Sequence, residues 1–130
     1  MIKVLAAKLF AKIIHHKNQK WINNPLAYQK KIFNNLIKKA TETDFGKDHD
    51  FHKINDYTDF QAKVPVRDYE GLRPYIEKML AGKDSVLWPG KPLYYAKTSG
   101  TTSGVKYIPL TRASMPTHII AARDLSLIHI

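Results

Sequence analysis

The sequence predicts an α/β chain in which helices come first and a sheet only begins towards the end of the 130 residues. Three observations point there. Apolar residues recur at helical spacing between Leu26 and Leu80. After Gly82 the chain turns to loop residues and then to short strand-like runs on either side of a Gly/Thr/Ser stretch. A composition of 44% hydrophobic and 25% charged residues, free of repeats and low-complexity tracts, is that of a folded protein with a modest core.

The first element is a basic, apolar helix over Met1 to Ile14, with Leu5, Leu9 and Ile13 on one stripe. Lys3, Lys8 and Lys12 interrupt its apolar run and no small-residue cleavage site follows, which argues against a secretory signal. A helix docked on its own domain is preferred over one lying in a membrane interface. The second helix has Asn24 as N-cap and Pro25 in its first turn. Leu26, Phe33, Leu36, Ile37 and Ala40 repeat along it, and it ends near Thr41. Glu42 to Asn55 reads as a turn around Phe45-Gly46. Thr58 and Gln61 offer a capping box for a short helix closed by Val64-Pro65. Asp68 caps the next helix, in which Leu72, Ile76, Met79 and Leu80 share a face. Gly82 stops it, and Pro74 is expected in its first turn. Trp88 to Pro92 is loop, Leu93 to Ala96 a strand, and Lys106 to Ile108 a second short strand.

Composition narrows the partners. The absence of cysteine excludes a disulfide framework and thiolate metal sites and fits a reducing compartment, with the cytoplasm as the default. Twenty-one Lys and Arg against eleven Asp and Glu give a formal charge of +10, which favours polyanions such as nucleotides, nucleic acids or lipid headgroups. No segment is long and apolar enough to span a bilayer. His49 and His52 beside Asp48 and Asp50 carry metal-ligand chemistry, but a polar turn around Phe51 needs no metal and none is expected. No cysteine is present, and neither Ser99 nor Ser103 has an identifiable His and acid around it, so hydrolase chemistry is disfavoured.

The densest chemistry lies in Thr98 to Lys106. Gly100 and Gly104 allow close backbone approach, Thr98, Ser99, Thr101, Thr102 and Ser103 bring hydroxyls, and Lys106 brings a positive charge. Together these are the groups that phosphate oxygens demand. The spacing is not that of a Walker A loop, because the glycines stand one residue too close and a strand follows in place of a helix. On composition alone, a solvated hairpin turn explains the stretch equally well.

The run Thr98-Ser99-Gly100-Thr101-Thr102-Ser103-Gly104-Val105-Lys106-Tyr107-Ile108-Pro109 resembles the first ATP-binding motif of adenylate-forming enzymes. More narrowly, it resembles the auxin-responsive acyl-acid amido synthetases and their bacterial relatives. Phe60 to Glu70, Pro74 to Glu77, Thr43 to Lys47 and Phe51 resemble the same family's lead-in, so the likeness covers most of Pro25 to Met115.

That resemblance implies the N-terminal part of an adenylate-forming large domain over residues 1–124. The implied reaction is a ligase that uses ATP and Mg²⁺ to convert a carboxylic acid into acyl-AMP and then transfers the acyl group to an amino acid or other amine. It also implies nucleotide contacts from Thr98, Ser99, Thr101, Thr102 and Ser103, loop geometry from Gly100 and Gly104, and charge screening by Lys106. This lysine stands one residue before the lysine of the family motif. No catalytic residue and no metal ligand is expected within these residues, and the fragment alone is expected to be inactive. Residues 125–130 match a translation of CTG TCT CTT ATA CAC ATC, a transposon adapter used in library preparation, and are expected to be foreign. The alternative is a small basic nucleic-acid-binding module with Tyr94 and Tyr95 as a stacking platform, which the family reading excludes as a partner class.

Overall fold

A computed structural model of the chain describes residues 2–99 and 104–127. The order is α1 (Ile2–Ile22), α2 (Pro25–Ala40), α3 (Asp44–Asp48), a 3-10 turn (Phe51–Lys53), α4 (Tyr57–Lys63), α5 (Tyr69–Leu80), β1 (Tyr94–Thr98), β2 (Lys106–Leu110) and α6 (Met115–Leu127). Helices α1 to α5 precede the strands, as expected, and α6 follows them. Among the described residues the chain is mostly helical, and its sheet is a two-stranded antiparallel hairpin. Two compact units are formed, Phe33–Arg112 and the combination of Met1–Ile32 with Ala113–Ile130.

The unit Phe33–Arg112 is held by two apolar clusters. Ile37, Ala40, Phe51 and Ile54 form one, with Phe33, Phe60, Val64 and Trp88 packed against it. Tyr75, Ile76, Met79 and Val86 form the other, lined by Tyr69, Leu72, Tyr95 and Tyr107. Phe45 belongs to the periphery of both, with its ring edge-on to Phe51 at 5.8 Å and to Tyr75 at 5.2 Å. One aromatic side chain thus joins the two halves of the core.

Local chemistry explains the helix ends and corrects several expectations. Phe45-Gly46 is not a turn but lies inside α3, because Thr43 caps that helix by accepting the Gly46 amide. The α3 amides of Asp44 and Phe45 are taken by the carbonyls of Ser85 and Val86. The cap of α4 is Asp56, whose carboxylate accepts the Asp59 amide at 2.9 Å, and not Thr58 two residues later. Asp59 in turn accepts the Asn55 amide, so a carboxylate pair does the work expected of Thr58 and Gln61. α5 starts as expected, with Asp68 accepting the Gly71 amide at 2.9 Å. Its end also follows the expectation: Gly82 takes φ +92°, and the Gly82 and Lys83 amides bond the carbonyls of Met79 and Lys78. This is the paired hydrogen bonding of a glycine-terminated helix. Pro74, however, lies in the second turn of α5, where its missing amide removes one helical hydrogen bond. Ile76 and Met79 are buried on the expected face, whereas Leu80 is 45% exposed.

In the other unit Leu5, Leu9 and Ile13 are exposed, at 72%, 63% and 57%. Ile14, one residue further round the helix, is the buried position. The end of α1 and the start of α2 frame an open groove of about 450 Å³ lined by Trp21, Pro25, Tyr28, Gln29 and Ile32. No helix among the described residues is long and apolar enough to cross a membrane.

Candidate functional site

The hairpin places the ends of the Gly/Thr/Ser stretch with definite geometry. β1 and β2 pair with Tyr94 opposite Leu110, Ala96 opposite Ile108 and Thr98 opposite Lys106. Both strands run further than sequence patterning suggested, β1 taking in Lys97 and Thr98 and β2 taking in Pro109 and Leu110. Thr98 and Lys106 are therefore the last rung before the loop, and cross-strand partners project to the same side of a sheet. Across the hairpin, the Leu93 amide donates to the Leu110 carbonyl at 2.7 Å and fastens the other end.

Thr98, Ser99, Gly104 and Val105 are exposed, while Lys106 is half-buried. Gly104 adopts φ +76°, a left-handed conformation that costs a side-chain-bearing residue energy, and nothing lies within 4 Å of where its Cβ would stand. Backbone conformation, not crowding, is what requires glycine there. The remaining residues of the expected nucleotide loop, Gly100, Thr101, Thr102 and Ser103, lie outside the described residues.

Support for the hairpin comes from α5. The Tyr69 hydroxyl, on the first residue of that helix, accepts the Tyr107 amide at 2.8 Å. The Lys106 ammonium stands 5.6 Å from the Tyr69 ring centroid and the Arg73 guanidinium 5.7 Å from it, both at cation–π range. Arg73 is itself held by Glu70 through two hydrogen bonds of 2.6 and 2.7 Å. Their pairing drives the Glu70 carboxyl below its ordinary value and the Arg73 guanidinium above its own. Because the Tyr107 amide points away from β1, alternation turns the nitrogen of Pro109 the same way, so this proline costs the ladder no hydrogen bond. Tyr69 and Arg73 were not singled out from sequence. Their contacts span 38 residues in the case of Tyr69 and Tyr107, and no local pattern announces them.

Other candidates resolve into structure. His49 is 6% exposed and stacks on Phe45 with centroids 4.1 Å apart. Its Nδ1 lies 2.8 Å from the Phe45 carbonyl and its Nε2 2.9 Å from Arg67 Nη2. A carbonyl only accepts and a guanidinium only donates, so the ring carries its proton on Nδ1 and turns a lone pair to Arg67. The Asp48 carboxylate accepts the Tyr75 hydroxyl at 2.8 Å. Burial, and after it that bond to Asp48, push the Tyr75 phenol above its ordinary value. Asp50 instead pairs with Lys53 and Lys63. Tyr94 and Tyr95 point to opposite faces: Tyr94 is 64% exposed, whereas Tyr95 packs on the cluster around Tyr75 and Met79. That divergence separates the two rings of the expected stacking platform, one of the two features, with the charge of +10, that pointed to the nucleic-acid alternative.

Comparison with known proteins supplies the context for this hairpin. Residues 14–128 match the sequence pattern described as "GH3 family N-terminal domain". The chain is 30% identical over 82 residues to indole-3-acetic acid-amido synthetase GH3.2 of Arabidopsis thaliana, covering 62% of this chain and 15% of that protein. It is 38% identical over 73 residues to indole-3-acetic acid-amido synthetase GH3.10 of the same plant, covering 52% of this chain and 12% of the relative. With indole-3-acetic acid-amido synthetase GH3.4, also of Arabidopsis thaliana, it shares 30% identity over 82 residues, covering 62% and 14% respectively. The aligned part is thus a small share, 12 to 15%, of these relatives' length. With the family pattern running through α2, both core clusters and the hairpin, the chain belongs to the GH3 family of auxin-responsive amido synthetases, within its N-terminal domain.

Proposed function

We propose that this chain is the N-terminal part of an adenylate-forming large domain, and that the whole protein is a ligase joining a carboxylic acid to an amine at the expense of ATP. In the first step a carboxylate oxygen attacks the α-phosphorus of ATP, the bond from that phosphorus to the bridging oxygen breaks, and pyrophosphate leaves. In the second, the amine nitrogen attacks the acyl carbon, loses a proton, and AMP leaves. The relatives' name, indole-3-acetic acid-amido synthetase, supports amide formation from a carboxylic acid, and an amino acid is the amine that the family resemblance implies.

The observation that carries this reading is the pairing of Thr98 with Lys106 at the mouth of the Gly/Thr/Ser stretch, with Thr98, Ser99, Gly104 and Val105 exposed, within a chain of this family. The donor set fits a triphosphate: hydroxyls on Thr98 and Ser99, a glycine at φ +76°, and the ammonium of Lys106, the cross-strand partner of Thr98. Thr101, Thr102, Ser103 and Gly100 would complete the loop. No carboxylate stands in Thr98 to Leu110, so Mg²⁺ would enter with the phosphates and not on ligands of this stretch. Such a loop stabilises negative charge by donors already in place and by excluding the reorganisation that water would need.

Pyrophosphate exchange into ATP tests the proposal, using the full-length protein and a panel of carboxylic acids. Acid-dependent exchange is the expected result. A folded full-length protein that exchanges with none of the acids would sink it.

A further inference from the structure

The loop assigned to phosphate is tied down by a residue outside the loop itself. Tyr69 reaches it twice: its hydroxyl accepts the Tyr107 amide at 2.8 Å, and its ring lies 5.6 Å beneath the Lys106 ammonium. Lys106 is the last rung on the C-terminal side of the loop and Tyr107 the next residue, so both contacts fall where the loop meets the sheet.

We propose that Tyr69 is a positioning residue for nucleotide binding: its hydroxyl fixes the register of β2 at the loop, and its ring sets where the Lys106 charge stands. This rests on the ATP reading above. A two-stranded hairpin is marginal on its own and would let a loop of this kind wander. Tyr69 supplies the missing constraint from a helix whose own start is fixed by Asp68, with the Gly71 amide bound at 2.9 Å. The Arg73 guanidinium stands 5.7 Å from the same ring and is paired directly with Glu70, so of the two cations on that ring Lys106 is the one without a carboxylate at ion-pair distance among the described residues. Charge held in place before binding contributes to affinity by sparing the ordering cost.

The consequence is selective. Tyr69→Phe keeps the ring under Lys106 and removes only the acceptor of the Tyr107 amide. In the full-length protein it is expected to raise the KM for ATP about fivefold, the effect of one lost hydrogen bond, with kcat and the KM for the acid little changed. Hydrogen–deuterium exchange of the β2 amides is expected to quicken in the same variant, a readout independent of turnover. Lys106→Gln is the companion variant and is expected to raise the KM for ATP with β2 exchange unchanged. Wild-type exchange activity together with an unaltered ATP KM in Tyr69→Phe would overturn the positioning role alone. Equal rises in the KM values for ATP and acid would also overturn it, since they mark general loosening. A wild-type protein without acid-dependent exchange would overturn the ATP reading and this role with it.

Discussion

Thr43 holds Gly46 from both sides of a hydrogen bond relay: its hydroxyl donates to the Ala40 carbonyl at 2.7 Å and accepts the Gly46 amide at 3.0 Å. Thr43 is 1% exposed, so neither partner has water as a substitute. The relay turns the chain from α2 into α3 and brings Phe45 between the two clusters. Thr43→Ala is expected to cost about 2 kcal/mol, a cap loss at its upper range because the freed amide is buried, and Thr43→Ser much less. Urea unfolding of the two variants against wild type measures the difference.

Gly46 admits no side chain. A Cβ there would stand 2.0 Å from the Ala40 carbonyl oxygen and 2.9 Å from that of Thr41, both backbone atoms. Gly46→Ala is therefore expected to destabilise by about 3 kcal/mol or more, the range for forced overpacking. Thermal unfolding would reveal it as a loss larger than that of Thr43→Ala.

Gly104→Ala is a contrasting case, since the new Cβ meets nothing and only the φ of +76° resists it. The expected cost is about 1 to 2 kcal/mol from left-handed strain. If the loop serves ATP, pyrophosphate exchange in the full-length variant falls by more than this stability loss explains. Equal exchange in variant and wild type would separate the loop from the chemistry.

Asp44 carries a pH dependence. Its carboxylate accepts Lys83 at 2.6 Å and Lys78 at 3.4 Å, and the Lys83 hydrogen bond, foremost, holds its carboxyl below the ordinary 3.8. A carboxyl lowered by folding stabilises the fold above its unfolded value and ceases to do so as pH falls through its folded one. Lys83→Gln is thus expected to melt below wild type at about pH 7 and to converge with it towards about pH 2. Added salt should narrow the gap at the higher pH. A gap that persists unchanged in acid would place the effect elsewhere.

Sequence legibility follows the range of the interaction. Asp68 and Gly82 mark the ends of α5 correctly, because each acts on amides or carbonyls within a few residues. Asp56 displaced Thr58 as the cap of α4, with a second carboxylate, Asp59, reaching back to the Asn55 amide just before the cap. Gly46 read as a turn glycine because a close approach between α2 and α3 looks the same in sequence as a positive φ. At the candidate site, the strands flanking the loop were visible in outline. Lys97 and Thr98 belong to β1 through pairing with Tyr107 and Lys106, a property of the partner strand and not of their own preference. Tyr69 was invisible for the same reason, since its role depends on a residue 38 positions away.

The outward turn of Pro109, with the Tyr107 amide already bound by Tyr69, makes the hairpin asymmetric as a template. A strand arriving alongside β2 would find one donor occupied and the next absent, whereas the outer amides of Tyr95 and Lys97 on β1 keep the spacing that a new neighbour requires. Were this sheet to gain a strand, β1 would be the edge that offers a regular row of donors and β2 the edge that does not.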